Sequence, residues 1–488
     1  MGISVESFFL DPAAEGTLQR QIQQMVAQGI LEGRFRAGEK LPSSRRLAQY
    51  LGVSRITVTL AYTELVADDY VTARGRSGYF VSENAPEPPA FPARRSDSGS
   101  VDWSRILSGR YGDNPLGLSK PRDWTRFRYP FIYGQADPTL FDSANWRLCA
   151  LQALGRRDFT ALTTDYFEDD DPQLVEFIAR QTLPRRGILA SHDEILVTLG
   201  AQNALWLTAQ VLLNPRRHAS FEDPGYPALH SLLKLSRCRL DTIRIDKSGL
   251  VPESIPDDTD VVFTTPSHQC PTTATMPVDR RRKLLAKAEA EDFLIVEDDY
   301  EFENSYHAPT SPALKSLDRN GRVIYVGSFS KSLFPGLRLG YLVGPAPFIR
   351  EARALRASVL RHPPGHIQRT VAYFLSLGHY DALVRRTSRA LHERRTVLDA
   401  AIAENGLTVA GQGSFGGSSV WMRAPDNVDT TILAQTLAAK SVLIEPGAPF
   451  FFSPDGPKNH FRLAYSSIPT NRIREGVALI AQAIKKRA

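Results

Sequence analysis

The fourteen residues at 328–341, SFSKSLFPGLRLGY, follow directly on the apolar run VIYVG and place Lys331 just past the end of a strand-like segment. A lysine there can condense with an aldehyde to a Schiff base, and Ser328, Ser330 and Arg338 are donors of the kind that hold a phosphate. A lone lysine is ordinarily a solvated surface charge, and a bare S-x-S-K would say little. TLGAQNAL (198–205) turns from an apolar run through Gly200 into a helix, so the N–H groups of Gly200, Ala201 and Gln202 are open to a phosphate. FLIVEDDY (293–300) ends an apolar run in acids, which by themselves are most often solvated or cap a helix. HFRLAYS (460–466) sets Arg462 in a strand-like segment. Its guanidinium would clamp a carboxylate or sulfonate through two hydrogen bonds; the ordinary reading is a strand-edge arginine in a structural ion pair. FEDPGYP (221–227) presents Tyr226 in a Pro/Gly-rich turn.

These segments need a scaffold, and the chain from about 129 onward supplies the pattern for one. Helical stretches alternate with the short apolar runs EILVTLG (194–200), DVVFTTP (260–266), FLIVEDD (293–299) and RVIYVGS (322–328). Such alternation predicts an α/β body with a largely parallel sheet, which gathers ligand-binding residues at the carboxyl ends of its strands. Longer helices beyond about 365 predict a smaller subdomain.

A second set of chemistry-bearing residues lies in the first 82. Apolar Leu18, Ile22, Met25, Val26 and Ile30 predict a helix near 17–32. Pro42, a capping Ser43 and a terminating Gly52 frame a second helix at 43–51. Ser54 starts a third, with Val58, Ala61, Tyr62 and Leu65 as its apolar stripe. Two β-type runs at 70–73 and 79–81 flank Arg74-Gly75-Arg76-Ser77-Gly78. This is the layout of a helix-turn-helix with a hairpin, in which the segment 54–59 would face the base edges and Arg55 could read a guanine through paired hydrogen bonds. Arg45 and Arg46 would meet phosphates at the second helix's start, and Arg74, Gly75 and Arg76 would lie along the groove or backbone. Residues 1–82 carry nine Lys/Arg against eight Asp/Glu, yet from 34 to 59 six basic residues face only Glu39. That asymmetry supports a binding face; an ordinary solvated surface on an interaction domain is the plain alternative. Between head and body, ENAPEPPAFPARRSDSGS (83–100) reads as the start of a linker that runs to about 128.

Composition fits this organisation. With 488 residues, 42% hydrophobic and 23% charged, the chain is a multidomain globular protein able to bury a large core. No apolar run reaches the ~18–20 residues of a membrane span, and the N-terminus lacks a secretory pattern. Cys149, Cys238 and Cys270 form neither metal-type spacing nor a disulfide framework, so a reducing cytoplasm is expected. The net charge of +6 permits nucleic-acid binding without demonstrating it.

The wording of both halves is more specific than their patterns. Residues 33–81 resemble the winged helix-turn-helix of the GntR regulator family, which implies DNA contacts at Arg45, Ser54, Arg55 and Thr57 and a wing at Arg74 to Arg76. The string at 328–341 resembles the Schiff-base segment of fold-type I pyridoxal-phosphate enzymes. That resemblance implies Lys331 as the Schiff-base lysine, Asp298 (rather than Asp299) at the pyridine nitrogen, and Tyr300 at the ring hydroxyl. It also implies Tyr226 stacked on the ring and Arg462 as the acid clamp. A carboxylate at the pyridine nitrogen keeps it protonated and makes the ring an electron sink. TTPSHQCPTTATMP (264–277) departs from the aminotransferase pattern: Cys270 stands where enzymes carry an asparagine, and Thr273 where they carry glycine. Its PSHQ wording resembles the MocR subfamily, which joins a GntR-type head to an aminotransferase-like body.

The resemblance therefore implies a winged helix-turn-helix at 1–82, a linker at 83–128, and a pyridoxal-phosphate-binding effector body at 129–488. It implies a homodimeric regulator of double-stranded promoter DNA that answers to an amino compound, such as taurine, or to the cofactor itself. Ala228 replaces an arginine of the γ-aminobutyrate-responsive members, which disfavours that effector. The alternative is a working aminotransferase with an N-terminal extension, against which Cys270, Arg45 and Arg55 argue.

Overall fold

The computed structural model describes residues 2–11, 16–86, 103–107, 121, 123–165, 167–306, 311–411, 413, 416–453 and 455–487. Its chain divides into two compact units, 1–110 and 111–488. Most of the segment read as a linker lies outside the described residues. Within it the short helix Trp103–Ile106 and a single 3₁₀ turn at Trp124–Arg126 are described.

In the first unit three helices, α1 (Leu18–Leu31), α2 (Ser44–Leu51) and α3 (Arg55–Ala67), precede an antiparallel hairpin of β1 (Val71–Ala73) and β2 (Tyr79–Val81). Each helix start is capped by a hydroxyl, as the sequence predicts for α2 and α3. Thr17 accepts from the Arg20 N–H, Ser43 from Arg46 and Ser54 from Thr57; such caps contribute about 1 kcal/mol each. Gly52 ends α2 at φ 68°, a left-handed conformation that favours glycine. Ile22, Val26 and Ile30 of α1 pack on Leu47 and on Val58, Ala61, Tyr62 and Leu65 of α3. Leu18, expected on that stripe, instead stands at the exposed start of α1. The buried Tyr62 hydroxyl donates to the Pro42 carbonyl at 3.0 Å, tying α3 to the turn before α2.

The second unit opens with β3 (Tyr129–Pro130). It then builds an eight-stranded sheet from β4 (Ile195–Thr198), β5 (His218–Asp223), β6 (Arg239–Asp246), β7 (Gly249–Leu250), β8 (Val261–Thr264), β9 (Leu294–Asp298), β10 (Val323–Ser328) and β11 (Gly340–Val343). The order is β4-β11-β10-β9-β8-β5-β6-β7. All four apolar runs singled out in the sequence are strands of this sheet. Strands β10, β9, β8, β5 and β6 are mutually parallel, whereas β11 and β7 run antiparallel to their neighbours. The strands β4, β8, β9, β10 and β11 are buried on both faces, and side-chain alternation shows it: Ile324 and Val326 of β10 join the core under helices Ala201–Leu212 and Ala346–Leu360, while Tyr325 joins the opposite one. That double burial is why the strands read as unbroken apolar runs.

The C-terminal part forms the smaller layer expected from its longer helices. An antiparallel sheet of order β12-β13-β16-β15 comprises β12 (Thr408–Val409), β13 (Ser419–Arg423), β15 (Glu445–Pro446) and β16 (His460–Ala464). Between them in sequence, β14 (Val442–Leu443) pairs with β3. Helices His379–Glu404 and Thr470–Lys485 cover this sheet with a core of their own. Among the described residues no helix is long and apolar enough to cross a membrane.

Candidate functional site

The parallel strands end at one edge of the large sheet, and the predicted residues follow those ends. Gly200 comes after β4, Tyr226 after β5, Thr265 and Cys270 after β8, Asp298 and Tyr300 at the end of β9, and Ser330 and Lys331 after β10. The antiparallel β11 starts at the same edge, since Gly340 pairs with both Ser328 and Thr198, and this brings Arg338 alongside. Ala201, Gln202, Tyr226, Asp298, Tyr300, Ser328, Ser330, Lys331, Arg338 and Arg462 all line one cavity of about 290 Å³.

Gly200 stands at φ 83°, where a side chain would be strained, and turns the chain into the helix Ala201–Leu212. A Cβ on Gly340 would lie 3.0 Å from the Gly200 backbone, so two glycines are needed to seat this turn against β11. The Asn203 N–H is bonded back to the Gly200 carbonyl, and helix geometry leaves the N–H groups before it without intrahelical acceptors. Ser330 N–H donates to Ser328 Oγ at 3.2 Å across from that helix start. A cradle of backbone donors, two hydroxyls and the exposed Arg338 is the chemistry a phosphate requires.

Electrostatics separate the two adjacent acids. Asp299 is buried against Arg186, whose Nε donates to Oδ2 at 2.7 Å, and it accepts from the Tyr325 hydroxyl at 2.8 Å. Asp298 is buried too, and each acid has an Oδ1 without a hydrogen-bond partner among the described residues, but no arginine there pairs with Asp298 as Arg186 does with Asp299. Burial first, then the neighbouring charges of Asp299 and Glu222, raise the pKa of Asp298 to about 7. A buried carboxylate in that condition calls for a cationic donor, and a protonated pyridine nitrogen is one. The residues present therefore fit pyridoxal phosphate.

Glu222, which the sequence reading passed over, anchors the loop after β8. It accepts from Thr264 Oγ1 (2.6 Å), Thr265 N–H (3.1 Å), Thr265 Oγ1 (2.6 Å) and Gln269 Nε2 (3.1 Å), while burial raises its pKa. That loop carries Cys270, whose thiol burial pushes up to about 12, so it stays protonated. Thr273, at the usual glycine position, has φ 63°, an unfavourable conformation for a β-branched residue. Tyr300 lines the cavity, and its hydroxyl donates to the His268 carbonyl at 2.9 Å. Ala228 lines the cavity beside Tyr226.

Arg462 carries a correction. It lies on β16, flanked by β13 and β15, and so in the sheet interior rather than at an edge. Its Nε donates to Glu445 Oε2 at 2.7 Å, both groups being buried. The ion pair of the ordinary reading thus exists, and the same guanidinium also faces the cavity. Tyr133 was missed altogether. The Lys331 Nζ and the Arg462 Cζ each lie 4.0 Å from its ring centroid. Only its position soon after the linker, in FIYGQADP, marked it in the sequence, and nothing in that wording signals a cation partner.

In the head, Arg45, Arg46 and Arg55 are exposed on α2 and α3, with Arg55 Nε 3.5 Å from Ser44 Oγ. Ser54 and Thr57 engage each other, Oγ to Oγ1 at 2.8 Å, so both hydroxyls serve the cap as well as the surface. Arg74 lies over the Phe80 ring at 4.8 Å and pairs with Glu83 at 3.4 Å; Gly75 takes φ 47° in the turn, and the Arg76 side chain lies outside the described residues. Ile56, which the sequence reading did not single out, is 71% exposed beside Arg55. An apolar group at the start of a recognition helix suits a thymine methyl.

Residues 18–81 match the sequence profile described as "Bacterial regulatory proteins, gntR family", and 153–480 match "Aminotransferase class I and II". Over 99% of its length the chain is 58% identical to the HTH-type transcriptional regulator TauR of Rhodobacter capsulatus, covering 100% of that protein. It is 30% identical to the probable rhizopine catabolism regulatory protein MocR of Rhizobium meliloti, over 96% of this chain and 94% of that one. The chain belongs to the MocR type of GntR-family transcriptional regulators. Its body has the fold-type I aminotransferase architecture. The kynurenine aminotransferase of Pyrococcus horikoshii matches at a TM-score of 0.72 and 26% identity, covering 79% of this regulator and 98% of that chain. Family membership makes the head a promoter-DNA binder, as GntR-type helix-turn-helix modules are.

Proposed function

We propose that this MocR-type regulator holds pyridoxal phosphate through Lys331 and uses the loaded cavity to sense a small amino acid or aminosulfonate, taurine being the favoured compound. The observation that carries the reading is the buried Asp298, whose Oδ1 has no hydrogen-bond partner among the described residues, in the same cavity as Lys331 and the helix start at Ala201 and Gln202. When bound, the cofactor supplies an electrophilic carbon that an effector's amine can take over from the lysine. The chain's own residues do the rest: Gly200, Ala201, Gln202, Ser328, Ser330 and Arg338 hold the phosphate, Asp298 keeps a proton on the ring nitrogen, and Tyr226 backs the ring. Arg462 receives the effector's acid group. Ala228, small and apolar, offers no second cation there, which disfavours 4-aminobutanoate.

In this reading the protein works in the cytoplasm as a homodimer, whose two heads read paired half-sites with Arg55 at a base edge and Arg45, Arg46, Arg74 and Arg76 on phosphates. Effector binding must favour one of two conformations to change promoter affinity. The purified protein should show a visible absorption band with pyridoxal phosphate, and Lys331→Ala should lack it; a band retained in the variant sinks the cofactor assignment. A gel shift with the adjacent intergenic DNA should give a salt-sensitive complex. Multiple turnovers with an amino acid and a keto acid, without such a complex, would make the protein an aminotransferase instead.

A further inference from the structure

We propose that Tyr133 sets the length of effector this cavity accepts, favouring compounds whose amine and acid groups are no more than two carbons apart. The inference rests on the reading that Lys331 and Arg462 are the two anchor points of the effector. Both cations lie on the ring of Tyr133, each 4.0 Å from its centroid. Nζ and Cζ are therefore separated by no more than twice that distance, whichever faces of the ring they occupy.

An acid hydrogen-bonded to a guanidinium holds its central atom about 4 Å from Cζ. About 4 Å then remains to the place of the amine. Three trans bonds, running from an amine through two carbons to the acid's central atom, span about 3.8 Å. One more carbon stretches the extended chain to roughly 5 Å, so the longer compound fits the gap only by folding into gauche conformers and binds less well. The upper bound is thus set by the ring that the two cations share.

A spacer of this kind must be held, and Tyr133 is held at its far end. Its hydroxyl donates to Glu301 Oε2 at 3.1 Å. Glu301 is itself buried, accepts from Asn304 Nδ2 at 2.9 Å, and has His268 Nε2 3.6 Å from Oε2. His268 in turn packs on Gly417, where a Cβ would fall 2.2 Å from its ring. Just after Tyr133 the chain is pinned again: the Gln135 carbonyl accepts from Ser466 Oγ at 2.7 Å, and Asp137 pairs with Arg394. The ring is thus tied at its hydroxyl, and the chain that carries it is tied just beyond. Replacing it with an aliphatic side chain removes the spacer and leaves Lys331 and Arg462 in the chain.

The test uses the full-length protein loaded with pyridoxal phosphate. It is titrated by calorimetry and by visible absorption with 2-aminoethanesulfonate, 3-aminopropanesulfonate, 3-aminopropanoate and 4-aminobutanoate. Wild type should bind the two-carbon member of each pair at least tenfold more tightly than the three-carbon member. Tyr133→Ala should reduce that ratio to threefold or less while retaining the cofactor band, a change that a general loss of stability would not produce. Should the alanine variant fail to fold, Tyr133→Leu puts the same question with less lost volume. A ratio unchanged in the variant, or a wild type that prefers the longer members, overturns the proposal. If wild type keeps its visible band but binds none of the four, the effector reading itself falls, and this inference with it.

Discussion

The arginines of the head and the arginine of the cavity put one side chain to opposite uses. Arg45, Arg46 and Arg55 stand in solvent on α2 and α3, while Arg462 is 3% exposed and bonded to Glu445. A solvated guanidinium meets a phosphate or base edge without prior desolvation, so its binding is broad in reach and weakened by salt. A buried one must be neutralised by its own fold before it can serve a ligand. The difference teaches that the two settings call for different tests: exposed cations on capped helices in the head, and a buried, paired cation in the middle of β16 in the body.

Three changes would break or sharpen that contrast. The largest effect is expected from Glu445→Gln, which leaves Arg462 buried without its counter-charge. Urea denaturation of the body should show a loss of about 3–5 kcal/mol, with promoter binding by the head intact. A loss below about 1 kcal/mol would mean that Arg462 is solvated after all.

Next comes Asp298→Asn in cofactor-free protein. The folded-state pKa of about 7 lies above the usual carboxylate value of 3.8, so the fold holds a proton that the unfolded chain releases between them. The contribution of Asp298 to stability is therefore full below about pH 4 and lost as pH rises through 7. Relative to wild type, the asparagine variant should gain up to about 4 kcal/mol from pH 4 to 7. Pyridoxal phosphate should flatten that slope, and parallel pH profiles for the two proteins would remove the argument from Asp298.

The smallest effect is expected at the surface. Arg55→Ala should weaken specific promoter binding by about 1–3 kcal/mol and shift stability by less than about 0.5 kcal/mol. A gel-shift series against salt, run beside thermal melts, measures both. Destabilisation without loss of DNA affinity would reverse the assignment of this residue.

Legibility followed the same division. The head could be read because its devices are local: Ser43, Gly52 and Ser54 act within a turn of where they stand, and the apolar stripes bury what they predict apart from Leu18. Strands β4, β8, β9 and β10 were legible as apolar runs because they are covered on both faces. The string around Lys331 was legible because its wording is continuous. Tyr133, Glu222, Glu301 and Glu445 were not, since each owes its place to a partner far along the chain. Glu445 meets Arg462 through strand register, and Tyr133 meets Lys331 across nearly two hundred residues. The choice between Asp298 and Asp299 had a resemblance behind it in the sequence. The fold adds a physical difference, by bonding Asp299 Oδ2 to Arg186 and Tyr325 while Asp298 lines the cavity.

The sequence by itself determined the two architectures, the capped helices of the head, the strands of the body and the lysine at the end of one of them. These follow from periodicity and turn chemistry, which act over a few residues. Only the tertiary structure decided which acids are paired, that Arg462 both joins an ion pair and lines the cavity, and that two cations come within 4.0 Å of the centroid of one tyrosine ring. Such facts depend on burial and on contacts between distant segments, and no local pattern encodes them.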